Sequence, residues 1–184
     1  TSILQQTAMP KFGQRYGGAD LMDYDVLILP DGGRGLRQLF QKEQLAELKA
    51  WVQGGGVLIA NESAAGFFTK DQSEFTDVEL KESPEDSSEV ANYLPFNQRR
   101  DYYGKKRIPG SALTARLDTT HPLAFGMNPE LYSLKFGNTG MVPSTDLQTV
   151  GYYAKDKDNL LVAGYASDEN LEHLAGTTFA GVVN

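Results

Sequence analysis

The sequence predicts an α/β fold: a mostly parallel sheet flanked by helices, with extra short strands in the C-terminal third. Three observations predict it. Two apolar runs of strand length, Val26-Leu27-Ile28-Leu29 and Val57-Leu58-Ile59-Ala60, are bounded by turn residues. Between them lies a stretch with helical period, and beyond residue 110 further short apolar runs recur between Pro, Gly, Asn and Asp.

Residues 1–20 are mixed in character, with Gly13, Gly17 and Gly18 interrupting any period, and read as an irregular lead-in. Val26 to Leu29 is continuously apolar and ends at Pro30-Asp31-Gly32-Gly33, the pattern of a central parallel strand covered on both faces. From Gln41 to Gln53, Leu45, Leu48, Trp51 and Val52 recur at spacings of three and four, and Gly54-Gly55-Gly56 stops the helix. Val57 to Ala60 is the second buried strand, and Ser63 to Thr69 resumes as helix. Strand, helix and strand in this order make a βαβ unit, whose crossover is right-handed in nearly all proteins.

Residues 70–95 read as an acidic surface excursion. Between Asp71 and Glu89 there are eight acidic residues and one Lys, too little apolar area to offset the entropy of ordering. A basic loop follows at 99–107, Arg99-Arg100-Asp101-Tyr102-Tyr103-Gly104-Lys105-Lys106-Arg107. The strand candidates after it are Leu113–Leu117, Leu131–Phe136, Val150–Ala154, Leu160–Ala166 and Thr178–Val183, with a surface helix near Glu169 to Leu174.

The length of 184 residues suits one domain spanning 1–184. A net charge of −7 and a pI near 4.8 argue against nucleic acid or an anionic membrane as partner, because both reward clustered cations. No Cys is present, which excludes disulfides, thiolate zinc sites and thiol nucleophiles. No apolar run approaches the ~20 residues that span a bilayer. The chain opens without Met and closes on Ala180-Gly181-Val182-Val183-Asn184, which reads as a fragment of a longer protein.

The place in this pattern where chemistry could live is the point at which the second strand turns into its helix. A residue at such a turn is exposed at the carboxyl end of the sheet, the geometry of a nucleophile elbow. The residues there are Asn61, Glu62 and Ser63. Only Ser63 has the chemistry of an alkoxide nucleophile, and it needs a base; Ser63 is more simply an N-cap of the next helix. Glu62 is either a general acid or base or a carboxylate favoured by the helix start. Of the two histidines, His121 precedes Pro122 in a turn where a ring nitrogen commonly bonds a backbone carbonyl, and is the weak candidate base; His173 falls on the surface helix. Asp31-Gly32-Gly33-Arg34-Gly35 lacks the Lys-Ser/Thr ending of a phosphate loop. No catalytic residue, bound cofactor or metal ligand set is therefore expected in this chain. The basic loop around Tyr102 and Tyr103 is a solvated segment or a surface for a sugar, a peptide or an acidic domain.

Over Tyr24 to Phe68 these residues resemble the class I glutamine amidotransferase-like, flavodoxin-like fold, shared with PfpI-type proteases. In that superfamily the second strand ends in a nucleophilic Cys, and Asn61 falls at or next to its position. Arg107-Ile108-Pro109-Gly110-Ser111, Leu117-Asp118-Thr119-Thr120-His121-Pro122-Leu123-Ala124-Phe125-Gly126, Leu160-Leu161-Val162-Ala163-Gly164-Tyr165 and Leu174-Ala175-Gly176 resemble the amidotransferase-like domain at the C-terminal end of bacterial zinc carboxypeptidases of the carboxypeptidase A type. The resemblance implies a secreted or periplasmic parent, with zinc and the catalytic Glu in a preceding peptidase domain, and the present chain as a non-catalytic accessory domain partnered by that peptidase domain. Two other readings remain open: a small PfpI-type hydrolase using Ser63 or Glu62 with His121, and a carbohydrate-binding or oligomerisation module.

Overall fold

A computed structural model of the chain describes residues 21–31, 35–81 and 93–184. The lead-in at 1–20, the Gly32-Gly33-Arg34 part of the first turn and residues 82–92 of the acidic excursion lie outside the described residues. Mixed helices and strands form two compact units, with the boundary between Asp77 and Val78.

The first unit holds the elements β1 (Val26–Leu29), α1 (Gly35–Leu39), α2 (Lys42–Gln53), β2 (Val57–Ala60), α3 (Ser63–Phe67) and α4 (Lys70–Ser73). β1 and β2 pair in parallel, Val26 opposite Val57 through Leu29 opposite Ala60. Trp51 on α2 is buried and its indole Nε1–H donates to the Tyr24 carbonyl at 3.2 Å, tying the crossover helix to the entrance of β1. The helix ends where the Gly54 amide bonds Ala50 O and Gly55 turns with φ 109°, a conformation cheap only for glycine. Leu27, Leu29, Leu36, Phe40, Leu48, Trp51, Phe67 and Phe68 form the core. Phe68 meets Phe40, Phe67 and Phe75 edge-on at centroid distances of 5.7, 5.1 and 4.9 Å. Each such pair adds about 1 kcal/mol beyond area burial.

Two expectations for this unit change. Among the described residues the strands are covered on one face only: Leu27 and Leu29 are buried, whereas Val26 and Ile28 are 46% and 59% exposed, and Val57 and Ile59 are exposed beside them. A continuous apolar run does not distinguish one covered face from two, because the alternation shows only in what lies against it. The predicted helix 63–69 breaks after Phe67, where Thr69 Oγ1 donates to Gly66 O at 2.7 Å, and a separate turn of helix begins at Lys70. The start of the acidic excursion is thus ordered, and Val78 within it is buried.

The second unit contains α5 (Phe96–Lys105), β3 (Ser111–Leu117), β4 (Glu130–Lys135), β5 (Gln148–Tyr153), β6 (Leu161–Gly164), α6 (Asp168–Leu174) and β7 (Thr178–Val182). Its five-stranded sheet has the order β4-β3-β5-β7, with β6 also on β3, and every pairing is antiparallel. Among the described residues, parallel pairing is confined to β1 and β2, so the sheet is not mostly parallel as expected. The extra C-terminal strands form the larger sheet. Leu113, Ala115, Tyr153, Leu160, Leu171 and Leu174 build its core. Tyr132, Leu134 and Phe136 stand exposed along β4. Arg116 and Glu130, opposite each other on β3 and β4, form an ion pair at 2.9 Å.

The segment predicted as a basic loop is mostly helix: α5 carries Arg99 to Lys105. None of its residues is buried, so it lacks the apolar period by which a helix is recognised from sequence. What fixes it is local. The Arg99 Nε donates to Leu94 O at 3.0 Å, and Asn170 Nδ2, itself buried on α6, donates to the Lys105 carbonyl at 2.8 Å.

Gly164 is a point of close backbone approach in the sheet. It has φ 94°, and a Cβ there would lie 2.6 Å from Gly110 O and 2.8 Å from Ser111 Cα, where β6 meets β3. Backbone atoms on both sides leave no flexible group to yield. Gly164→Ala is expected to destabilise the protein by about 2 kcal/mol or more. Chemical-denaturation midpoints within a few tenths of wild type would overturn this placement of the strand.

Candidate functional site

The parallel register delivers the ends of β1 and β2 side by side, so Pro30-Asp31 and Asn61-Glu62-Ser63 emerge at the same edge. The carboxyl ends of parallel strands are where α/β proteins commonly place ligands. The Asn61 amide bonds Leu29 O at 3.0 Å, and the Asn61 carbonyl accepts from the Ala64 amide at 3.0 Å. Asn61 thus belongs to the framework of the turn through its main chain.

The apex is Glu62, with φ 51° and ψ −123°. This lies outside the left-handed helical well in which Glu74 sits at φ 55°, ψ 24°. A non-glycine residue held there costs about 1–3 kcal/mol and persists only where its surroundings fix it. The turn has the sharp strand-to-helix form that nucleophile elbows also adopt, and a carboxylate stands at its apex. Asn61, expected at or next to the nucleophile's position, is the residue immediately before the strained torsion. Burial of Ala64 and Phe67 holds α3 in place behind the turn.

Ser63 is not the N-cap. Glu62 occupies that position and makes no side-chain capping bond. Ser63 is the first helical residue, and its hydroxyl donates to Asp31 Oδ1, joining the two strand ends through side chains. Asn61, Glu62, Ser63 and Asp31 are all exposed. A serine nucleophile needs a base that accepts its proton and a third group that orients the base. The partner Ser63 has is a carboxylate, the residue type that sequence reasoning missed, since Asp31 lies 32 positions away and only the parallel register relates them.

Both histidines belong to the second unit. His121 opens a short 3-10 turn and accepts from the Leu123 amide through Nδ1 at 3.2 Å. The ring nitrogen thus caps a turn by accepting from an amide; it does not donate to a carbonyl as expected. Beside it, Asp118 is held below the usual carboxylate range, first by the Thr120 hydroxyl at 2.6 Å and next by the Thr120 amide at 3.0 Å.

His173, expected on a helix surface, is 6% exposed. α6 starts from Ser167, whose hydroxyl accepts from the Asn170 amide at 3.3 Å, and turns Asn170, Leu171, His173 and Leu174 inward. Burial lowers the pKa of His173, the charges of Lys81 and Lys135 lower it further, and a backbone bond with Asn138 opposes them. Its Nε2 is buried without a hydrogen-bond partner among the described residues. Among those residues no three His, Asp or Glu side chains converge as a metal site needs, and no helix is long and apolar enough to cross a membrane.

Two outcomes follow from this geometry. Glycine adopts the Glu62 torsions without strain, so Glu62→Gly is expected to raise stability by about 1 kcal/mol, net of glycine's larger unfolded-state entropy. A loss of similar size, with the circular dichroism spectrum unchanged, would mean the turn is relaxed. For His173 the folded pKa lies below the unfolded value near 6.5, so the unfolded chain binds more protons as pH falls. Stability is fully present above about pH 7 and declines as pH drops through about 6.5, levelling once the buried ring also titrates. Denaturation midpoints of His173→Gln across this window are expected to be flatter than wild type; parallel curves would refute the assignment.

Comparison of the chain with protein-family models, with curated proteins and with solved structures returned no match.

Proposed function

We propose that this chain is a flavodoxin-like, class I glutamine amidotransferase-like domain that has kept its elbow without the elbow's chemistry. In this reading it is a non-catalytic accessory domain of a secreted or periplasmic bacterial zinc carboxypeptidase-like protein. The observation that supports the loss of chemistry is the turn itself: Glu62 holds the strained apex while the hydroxyl of the next residue, Ser63, is engaged by Asp31. A carboxylate at that apex is a poorer nucleophile toward an amide than a thiolate, and the tetrahedral adduct it would form expels the carboxylate rather than ammonia and so returns to glutamine. The assignment of the parent rests on the sequence resemblance beyond Arg107. Zinc enters only through the parent's peptidase domain, with which this chain would be joined.

The hydrolase reading requires His121 to take a proton from Ser63 or to orient Glu62. His121 already spends Nδ1 on the Leu123 amide, and Ser63 has a carboxylate partner, so nothing in either local geometry favours it. The test uses the intact natural protein, assayed for zinc-dependent release of C-terminal residues from a peptide. Ser63→Ala and Glu62→Gln are expected to leave kcat within about twofold of wild type. A fall of about a hundredfold with folding intact would show that the elbow is catalytic. Absence of zinc-dependent release from the intact protein would remove the peptidase parent while leaving the inactive elbow standing.

A further inference from the structure

The basic helix and the turn after it enclose a surface hollow of about 540 Å³, lined by Arg100, Asp101, Lys105, Arg107, Pro109 and Tyr165, with Gly104 at its edge. Its volume falls within the range of small-ligand and peptide sites. Its walls are fixed from behind. Ile108 is buried between Arg107 and Pro109, the Lys105 carbonyl accepts from buried Asn170, and the Tyr165 carbonyl accepts from the Ser111 hydroxyl at 2.7 Å. Gly104 adds no side chain, and a Cβ there would meet nothing within 4 Å. Lys106, by contrast, is used internally, its ammonium lying 4.6 Å from the Tyr102 ring centroid.

The side chains of Arg100, Lys105 and Arg107 have no ion-pair or hydrogen-bond partner among the described residues. Three unpaired cations around one hollow are unusual in a chain whose net charge is −7. The overall field repels anions, so an anion attracted here is attracted by this local cluster. The hollow is also not uniformly basic: Asp101 stands on its rim, and Tyr165, 47% exposed, and Pro109 give it an apolar side.

We propose that this hollow binds an acidic peptide segment. Carboxylates spaced along an extended chain match cations spread from Arg100 to Arg107, and guanidinium groups pair with carboxylates through two parallel bonds. Asp101 accepts from peptide N–H groups, donors that a phosphate ion lacks. The ring of Tyr165 and Pro109 take the methylene stems of Glu side chains. A compact inorganic polyanion fills only part of this volume and meets Asp101 as a like charge.

The test is fluorescence anisotropy with fluorescein-labelled hexaglutamate and the full chain. Binding is expected at low salt and should weaken severalfold near physiological ionic strength. Arg100→Ala and Arg107→Ala should each weaken it about three- to fivefold, and the double variant about tenfold or more. These side chains are exposed, and unchanged circular dichroism confirms that the variants fold. Arg116→Ala, which removes a cation from β3, is expected to leave binding unchanged. The proposal is overturned by no binding at millimolar protein, by equal binding of the double variant, by an equal loss in Arg116→Ala, or by displacement of the peptide with equimolar inorganic pyrophosphate.

Discussion

The parallel register of β1 and β2 is the constraint on which the first unit depends. With Val26 opposite Val57, the two strands end level, and everything at the elbow follows from that. The Asn61 amide reaches Leu29 O, the Ser63 hydroxyl reaches Asp31, and the chain must reverse between them at Glu62. A one-residue slip would turn Leu27 and Leu29 out of the core and separate both bonds. The strain at Glu62 is thus carried by the pairing of the strands and by the burial of α3 behind the turn.

Much of this was legible in the sequence. The helix from Gln41 to Gln53, both parallel strands and all five later strands fall within one to three residues of their predicted bounds, because each depends on an apolar period or a Gly or Pro stop. What was illegible depends on contacts between distant residues. The exposure of Ile28 is decided by what covers a sheet face, and the burial of His173 by what packs on α6, with Lys81, Lys135 and Asn138 near its ring. The helix at Arg99 to Lys105 has no buried side and is held by Leu94, Asn170 and its own hydrogen bonds, so composition alone reads it as loop.

The candidate site divides in the same way. That residues 61–63 form an elbow follows from strand, turn and helix in sequence. Which of them is the apex does not, because it is set by one pair of torsions that a Glu would not choose. The same limit hid Asp31: a short-range reading places it in a glycine turn, whereas the parallel pairing makes it the neighbour of Ser63.

The strained turn and the residue at its apex are under different constraints. Side-chain chemistry changes by single substitutions at an exposed position such as Glu62, and most surface substitutions cost little stability. The backbone path cannot change so easily, since relaxing it would move α3 and unpack Phe67 from Phe40 and Phe68. Losing that aromatic contact and its burial would cost more than the roughly 1–3 kcal/mol the strain represents. The core therefore fixes the turn whatever residue stands at its apex, because the turn is also a structural corner.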